Sequence, residues 1–254
     1  AKMNRKFLNN TYAEQLFNRY ATYNGSNPWQ APATLGMIPW IEHSSGGFAV
    51  DGGIRALPAA MRRAAEKAGA QFHCNTEVTA IHTNKDSQVT GLSTSKEKID
   101  FDAVVSDVDL SNLYPNLLHA SDCPPFKRYQ NLEPSSSGFV FYWGMNRSFP
   151  ELSVNNILFS DAYKSEFTDI FNESRLPGDP TVYINVTSKV TKNDAPENCE
   201  NWFVLINAPP DHGQDWVKEG QALKERVILR INRILKVDIQ KHIVFEKTLD
   251  PAQI

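Results

Sequence analysis

The sequence is short of cysteine, of long apolar runs and of basic blocks. Its three cysteines, Cys74, Cys123 and Cys199, stand far apart and never as CxxC. That speaks against a disulfide scaffold and a thiolate zinc site, and it fits a reducing compartment. No stretch reaches the about 18–20 apolar residues of a membrane-crossing helix. The first ten residues lack the apolar core of a signal peptide, so any membrane contact is expected to be peripheral. Arg62-Arg63 and Lys96-Glu97-Lys98 are short, and the net charge is -3; nucleic acid is therefore not an expected partner. The motifs of hydrolytic and phosphate chemistry are missing as well: GxSxG, HExxH, a P-loop, or HxE with CxxC. No two glycines are spaced as GxG, so the GxGxxG dinucleotide loop is absent too. The six histidines are scattered singly, which argues against a metal site. No internal repeat is present, and solenoid folds drop out.

What remains is an ordinary globular composition, 41% hydrophobic and 22% charged over 254 residues, enough for one large domain or two intimate ones. Residues 4–23 carry Phe7, Leu8, Tyr12, Leu16, Phe17 and Tyr20 near helical spacing, which predicts a helix. Asn24-Gly25-Ser26-Asn27-Pro28 breaks it. A second apolar stretch runs from Ala33 to Ile41 and includes Trp40, and Gly46-Gly47 and Gly52-Gly53 then punctuate the chain. Ile54 to Ala68 predicts the clearest helix, with Gly69 as its C-terminal cap. Phe72 to His82, Val89 to Ser93 and Lys98 to Phe101 predict strands, the last two joined to the first through a hairpin turn at Lys85-Asp86-Ser87. Ala103 to Ser106 predicts a strand buried on both faces. Beyond Leu110, the strands Gly138–Gly144, Val154–Ser160, Thr181–Thr187 and Trp202–Asn207 lie among loops, which predicts an antiparallel sheet. An amphipathic helix over 221–235 and a short strand over 242–246 close the chain.

Three features carry candidate chemistry, each with a plainer alternative. Gly52-Gly53 stands just before a helix. There, backbone amides could approach an anion or a flat ring, or the pair could simply make a tight turn. Phe139, Phe141 and Trp143 share one strand face, with Tyr142 on the other; that face either lines an apolar cavity or fills the core. Asp107 and Asp109 follow an apolar strand, where α/β sheets place ligands, or else cap the helix beginning near Leu110.

The order of phrases adds more. Tyr23-Asn-Gly-Ser-Asn-Pro-Trp-Gln-Ala-Pro-Ala33 resembles "Y.G.NP..APA", and Glu42 to Leu57 resembles "E..GG.....GG...L". Gly69-Ala70 with Val78 and Ile81 is similar to "GA.....V..I", and Ala103 to Leu110 is similar to "AD.VVSNADL". Ser135-Ser136-Gly138-Phe139, Asp179-Pro180, Ala195-Pro196 and Asp250-Pro251 follow in the same order. Together these phrases resemble the bacterial phytoene desaturase family across nearly the whole chain. Two places depart from the pattern. Val154 to Ser160 lacks the histidines of "HHNI.FS", and Thr191 to Cys199 lacks the glycine of "D.S.AP.G".

The resemblance implies an α/β (α+β) flavoprotein that dehydrogenates or isomerises long polyenes, with FAD as hydride acceptor. It also implies a discontinuous cofactor domain. Residues 1–45 would be a helical segment facing substrate or membrane, 46–109 a return excursion into the Rossmann-type FAD domain, and 110–254 the substrate-binding domain. The GxGxxG portion and the last flavin-binding portion would lie outside this chain, which by itself is expected to retain no FAD. By the same resemblance Gly52, Gly53, Val78, Ser106 and Asp107 would border the cofactor. Arg55, Trp40, Phe139, Phe141 and Trp143 would line the substrate path. A cytoplasmic location at the inner face of the membrane is expected. The sequence leaves open a hydroxycarotenoid desaturase, an isomerase, a retinol saturase-like reductase, or a non-catalytic fragment.

Overall fold

A computed structural model describes residues 1–120 and 123–254. The predicted first helix is two, α1 (Lys2–Phe7) and α2 (Thr11–Arg19). Asn10 makes the break: its side chain accepts from the amides of Tyr12 and Ala13, an N-cap that starts a new helix inside one apolar stripe. A 3₁₀ turn, Tyr20–Asn24, ends at Gly25, whose φ of 59° is left-handed. The Ala33–Ile41 stretch becomes a 3₁₀ turn (Ala33–Gly36) and α3 (Met37–Ser45).

The chain divides into two units, residues 1–56 with 134–254, and residues 57–133. The expected borders near 45 and 109 thus fall 11 and 24 residues earlier than the divisions at 56 and 133.

In the second unit α4 (Ala56–Lys67, all but its first residue) ends in a Schellman motif. Ala70 N–H donates to Ala65 O and Gly69 N–H to Glu66 O, each at 3.0 Å, with Gly69 at φ 94°; this is the cap predicted for that glycine. β1 (Val78–Thr83), β2 (Val89–Thr94) and β3 (Lys98–Asp100) form an antiparallel sheet in sequence order. The hairpin turn between β1 and β2 is held by Asn84, whose side chain accepts from Asp86 and Gln88 amides. Residues 72–77 are not strand, and Asn75 there turns through φ 52°. The strand expected over 103–106 is also absent: the segment is irregular and Val105 is 99% exposed. A strand apolar on both faces needs neighbours on both sides, and no strand pairs with it among the described residues. α5 (Leu110–Asn112) begins at Asp109, whose carboxylate accepts from the Ser111 amide at 2.8 Å. A π-helical turn (Leu113–Leu117) and α6 (Pro124–Gln130) follow. Tyr129 of α6 donates its hydroxyl to Asp109, so α6 is tied to the start of α5.

The first unit is built on the expected antiparallel sheet, ordered β5-β6-β7-β4-β8. Its strands are β4 (Ser137–Met145), β5 (Asn155–Leu158), β6 (Val182–Asn185), β7 (Glu200–Ala208) and β8 (Ile243–Leu249). α7 (Tyr163–Phe171) joins β5 to β6 and α8 (Trp216–Leu235) precedes β8. α7 escapes the sequence pattern because its buried positions include the acid Glu166. Period two along β7 buries Trp202, Val204, Ile206 and Ala208 on one face, opposite Phe139, Phe141, Trp143 and Met145 of β4. Leu223, Val227, Ile228 and Ile231 of α8 complete that core. The helix comes so close at Gly220 that a Cβ there would stand 2.5 Å from the Phe139 ring.

Candidate functional site

The helical segment of the first unit converges on Glu42. Tyr20 and Tyr23 both donate their hydroxyls to its carboxylate at 2.9 Å, and their rings stack with centroids 5.6 Å apart. Burial and the Glu42 carboxylate push the Tyr20 hydroxyl up to about 12 and the Tyr23 hydroxyl in the same direction, so both remain donors. Gly25 accepts from the Ser136 amide at 2.8 Å, and a Cβ on it would stand 2.7 Å from that of Ser135. The phrases around Tyr23, Glu42 and Ser135, far apart in sequence, thus meet in one place. Trp29 packs its ring on Tyr163 and Phe167 of α7. Beside these helices a hollow of about 420 Å³ is walled by Phe17, Tyr20, Trp29, Pro32, Leu35 and Pro39 among others.

The sheet itself has two unlike faces. Phe139, Phe141 and Trp143, expected along the substrate path, fill the core under α8 at 3%, 1% and 1% exposure. Trp143 anchors its indole N–H on Glu246 at 2.7 Å. The opposite face carries Tyr142, Phe203, Leu205, Tyr183 and Ile157, across β4, β7, β6 and β5. Only Tyr142 among them is exposed, and the other four are half-buried. Tyr142 meets Phe203 edge-on at 5.6 Å, Phe203 meets Tyr183 at 6.4 Å, and the Arg19 guanidinium lies 5.3 Å over the Tyr183 ring. Gly138 and Gly144 belong to this face. A Cβ on either would press on Leu205 or Phe245 at 2.8 and 3.0 Å, so both glycines let neighbouring side chains lie flat across the strand. A small crevice where Leu16, Arg19, Tyr20 and Tyr23 meet Ile157 borders the row. Alternation predicts this face once the register is known, but it singled out only Tyr142.

The other expected residues are spread over both units. Gly52 and Gly53 have φ of 80° and 82°, and Gly53 N–H closes a turn on Val50 O at 2.9 Å. Arg55 is exposed beyond them. Trp40 is 69% exposed and shares a face of α3 with Met37 and Ile41, both also exposed. In the second unit Val78 opens β1 half-buried, while Ser106 and Asp107 are exposed, the Ser106 hydroxyl accepting from the Val108 amide at 3.2 Å. Asp109 takes the capping role weighed for it. Among the described residues no cluster of His, Cys, Asp and Glu could hold a metal ion, and no helix is long and apolar enough to cross a membrane.

Residues 11–198 match the family described as flavin containing amine oxidoreductase. The chain belongs to that family. It is 42% identical over 251 residues to a 1-hydroxycarotenoid 3,4-desaturase of Flavobacterium sp. (strain P99-3), covering 99% of this chain and 51% of that protein. It is 30% identical to a 4,4'-diapolycopene oxygenase of Methylomonas sp, covering 98% and 50%. A 4,4'-diaponeurosporene oxygenase of Staphylococcus aureus is likewise 30% identical over 98% of this chain and 50% of its own. The chain therefore spans about half the length of the curated relatives it matches. Among solved structures, an oxidoreductase from Methanosarcina mazei superposes with a TM-score of 0.69 at 13% identity, over 97% of this chain and 55% of its own. A Pyrococcus furiosus protein does so with 0.63 at 15%, over 98% and 56%. These two likenesses concern the fold.

For a flavin containing amine oxidoreductase the cofactor is a flavin, and the Gly52-Gly53 turn is the stretch expected to border its ring. Two consecutive left-handed residues turn the backbone outward, and a Cβ on Gly53 would meet nothing within 4 Å. Open space beside bare backbone is what a flat ring or an oxyanion requires. In this member of the amine oxidoreductases, Val154 and Asn155 stand where the desaturase pattern carries its two histidines, and Asn156 keeps the pattern's asparagine. The Asn155 side chain accepts from the Tyr183 hydroxyl at 2.7 Å and the Asn185 side-chain amide at 2.8 Å, so it ties β5 to β6 and offers no acid or base.

Proposed function

We propose that this chain is the substrate-holding portion, with part of the cofactor-holding portion, of an FAD-dependent oxidoreductase that desaturates a long apolar polyene. The observation that carries the reading is the face of the five-stranded sheet opposite α8, a largely half-buried apolar row from Tyr142 through Phe203 and Leu205 to Tyr183 and Ile157. The four strands that carry the row, about 4.8 Å apart, span about 14 Å, room for part of a conjugated stretch lying across them. Such a face holds a hydrocarbon by burying it and excludes water from it, with no acid or base. When bound, FAD would supply the acceptor for a hydride from one allylic carbon, while a proton leaves the neighbouring carbon to a base or water. Gly52 and Gly53 would hold the ring side of that group, and Val78, Ser106 and Asp107 its nucleotide side. Arg55 and Trp40 would stand near the path by which the polyene enters. Met37, Trp40 and Ile41 of α3 would touch the cytoplasmic face of the bilayer from which the polyene is drawn.

The 42% identity to a 1-hydroxycarotenoid 3,4-desaturase favours one refinement: a polyene bearing a hydroxyl at one end. Flavin absorbance of the full-length protein beside this chain tests the first reading. A yellow full-length protein, bleached anaerobically by an acyclic polyene, is expected, with this chain alone colourless. A full-length protein that stays colourless with FAD supplied overturns it. Comparing hydroxylated and plain polyenes in the same bleaching assay tests the refinement, and equal kcat/KM for the two removes it.

A further inference from the structure

Arg226, Arg230 and Arg233 recur at spacings of four and three along α8, so successive turns place them on one face. With Leu229 and the Gly178-Asp179-Pro180 turn they wall a cleft of about 260 Å³. Two acids serve these three cations. Asp179 pairs with Arg230, and Asp161 with Arg233 at 3.1 Å, lying 3.9 Å from Arg230. Arg226 has neither. The residues three and four positions away on its helix are Ala222, Leu223, Leu229 and Arg230. Its Nε and Nη2 are shut from water and meet no acceptor among the described residues; the same holds for Nε of Arg230, a residue only 8% exposed.

An unmet buried donor costs about 1–3 kcal/mol, and a charged one more. Nε and Nη2 together form the edge of a guanidinium that receives two oxygens of one oxyanion side by side. Leaving that edge and the neighbouring Nε empty in one cleft is costly for the fold and useful for a ligand. We propose that the cleft binds a phosphate group. Arg226 turns its Nε–Nη2 edge, now shut from water, into the cleft and donates to two of the phosphate oxygens, and Arg230 Nε turns likewise to donate to a third. Three donors suit a tetrahedral oxyanion better than a carboxylate, which has two oxygens. Asp179 holds Arg230 in place through its ion pair while it accepts from the Ser160 hydroxyl and the Asp161 and Ala162 amides. The exposed Asp161 carboxylate draws Arg233 aside, so Arg226 is the free fork. The phosphate could belong to a soluble molecule or to a phospholipid headgroup. Neither source involves flavin or polyene, so this inference stands apart from the reading above.

Calorimetric titration of the full-length protein with inorganic phosphate, against chloride at equal ionic strength, tests it. Saturable one-to-one binding is expected, weakened about tenfold or more in Arg226→Gln. Arg226→Lys, which keeps the charge without the fork, should lose most of the affinity as well. Circular dichroism matching the parent separates lost binding from lost fold. In parallel, flotation with phosphatidylcholine vesicles with and without phosphatidic acid assigns the source. Arg226-dependent flotation with phosphatidic acid points to the headgroup, and phosphate binding without flotation points to a soluble ligand. No saturable binding in either arm, or Arg226→Gln binding phosphate as the parent does, overturns the proposal.

Discussion

The two units of this chain use apolar residues differently. In the first, one face of a five-stranded sheet is sealed under α8, with Trp143, Trp202, Phe141 and Phe149 each at 1% exposure or less. In the second, the described residues bury only Gly91 and Phe126, while Leu57, Met61, Phe101 and Val105 remain exposed. Both segments carry convincing apolar patterns. The difference teaches that such a pattern reports the layer a segment is shaped to pack against, and a segment alone does not always contain that layer. The strand expected over 103–106 failed for this reason, whereas β4 and β7, which bring their own covering helix, did not.

Truncating one large side chain in each unit should give the largest difference between them. Trp202→Ala should cost about 3–5 kcal/mol, the range for emptying a filled aromatic site in a core. Met61→Ala, at a residue 65% exposed, should change stability by no more than about 0.5 kcal/mol. Urea unfolding of both variants checks the pair, and a Met61 cost comparable to that of Trp202 would show that α4 is cored after all.

Next in size is a buried acid of the first unit. Glu166 is 1% exposed and accepts from the Thr181 amide and hydroxyl, the latter at 2.6 Å. Burial pushes it from 4.5 up to about 7, against the pull of the Thr181 and Asn207 hydrogen bonds. Between those values the folded chain holds a proton that the unfolded chain has released. The acid's contribution to stability is therefore full below about 4.5 and lost as pH rises through about 7. The shift corresponds to roughly 3 kcal/mol. Asp179 nearby moves oppositely: burial raises it, but hydrogen bonds from Ser160, Asp161 and Ala162 and the Arg230 charge outweigh that and hold it below the usual carboxylate range. Its contribution is therefore lost only at more acid pH. Glu166→Gln keeps an acceptor for Thr181, and the difference in urea midpoint between parent and variant from pH 4.5 to 8 isolates the effect. The variant should gain relative to the parent as pH rises; a flat difference would place Glu166 in a better-solvated site.

How far the sequence discloses this molecule follows the same division. The antiparallel sheet, α8 and the Gly69 cap are legible because each is written locally, in period two, in period 3.6 and in one glycine after the last apolar turn. The break at Asn10 is written locally too, but a single capping side chain is weak beside a long apolar stripe. The site is less legible. Alternation separates Tyr142 from Phe139, Phe141 and Trp143, yet it cannot say which face α8 covers, because both are aromatic; the shared core with Leu223 and Val227 and the approach of Gly220 to Phe139 decide it. Glu42 is invisible as a clamp, since the hydroxyls it receives come from Tyr20 and Tyr23, about twenty residues away.

Gly220 gives the third test, confined to the cored unit. Alanine would gain about 1 kcal/mol in helix propensity but drive a methyl into the Phe139 ring, and overpacking of this kind costs about 1–3 kcal/mol. Gly220→Ala should therefore destabilise by up to about 2 kcal/mol, and Phe139→Leu in the same chain should recover part of it. A Gly220→Ala that keeps the whole propensity gain and stabilises the chain would show that α8 is free to lift from the sheet, weakening the contrast with the second unit.

The smallest effect sets backbone against packing. Gly69 ends α4 at φ 94°, and a Cβ there would meet nothing within 4 Å. Space is available, so any penalty is conformational. A left-handed alanine costs roughly 1–2 kcal/mol, less about 0.4–1 kcal/mol regained because the unfolded chain is stiffer. Gly69→Ala should thus cost up to about 1.6 kcal/mol, and Gly69→Asn less still, since asparagine tolerates this region. Gly36 in the first unit is the matched control: it also has open space around it, but its φ is -60°. Gly36→Ala should leave stability unchanged or raise it by up to about 1 kcal/mol. Opposite signs at two equally uncrowded glycines would locate the Gly69 penalty in the Schellman cap alone. Equal signs would mean that α4 frays before its cap matters, so that the second unit holds its helix end even less firmly than its burial suggests.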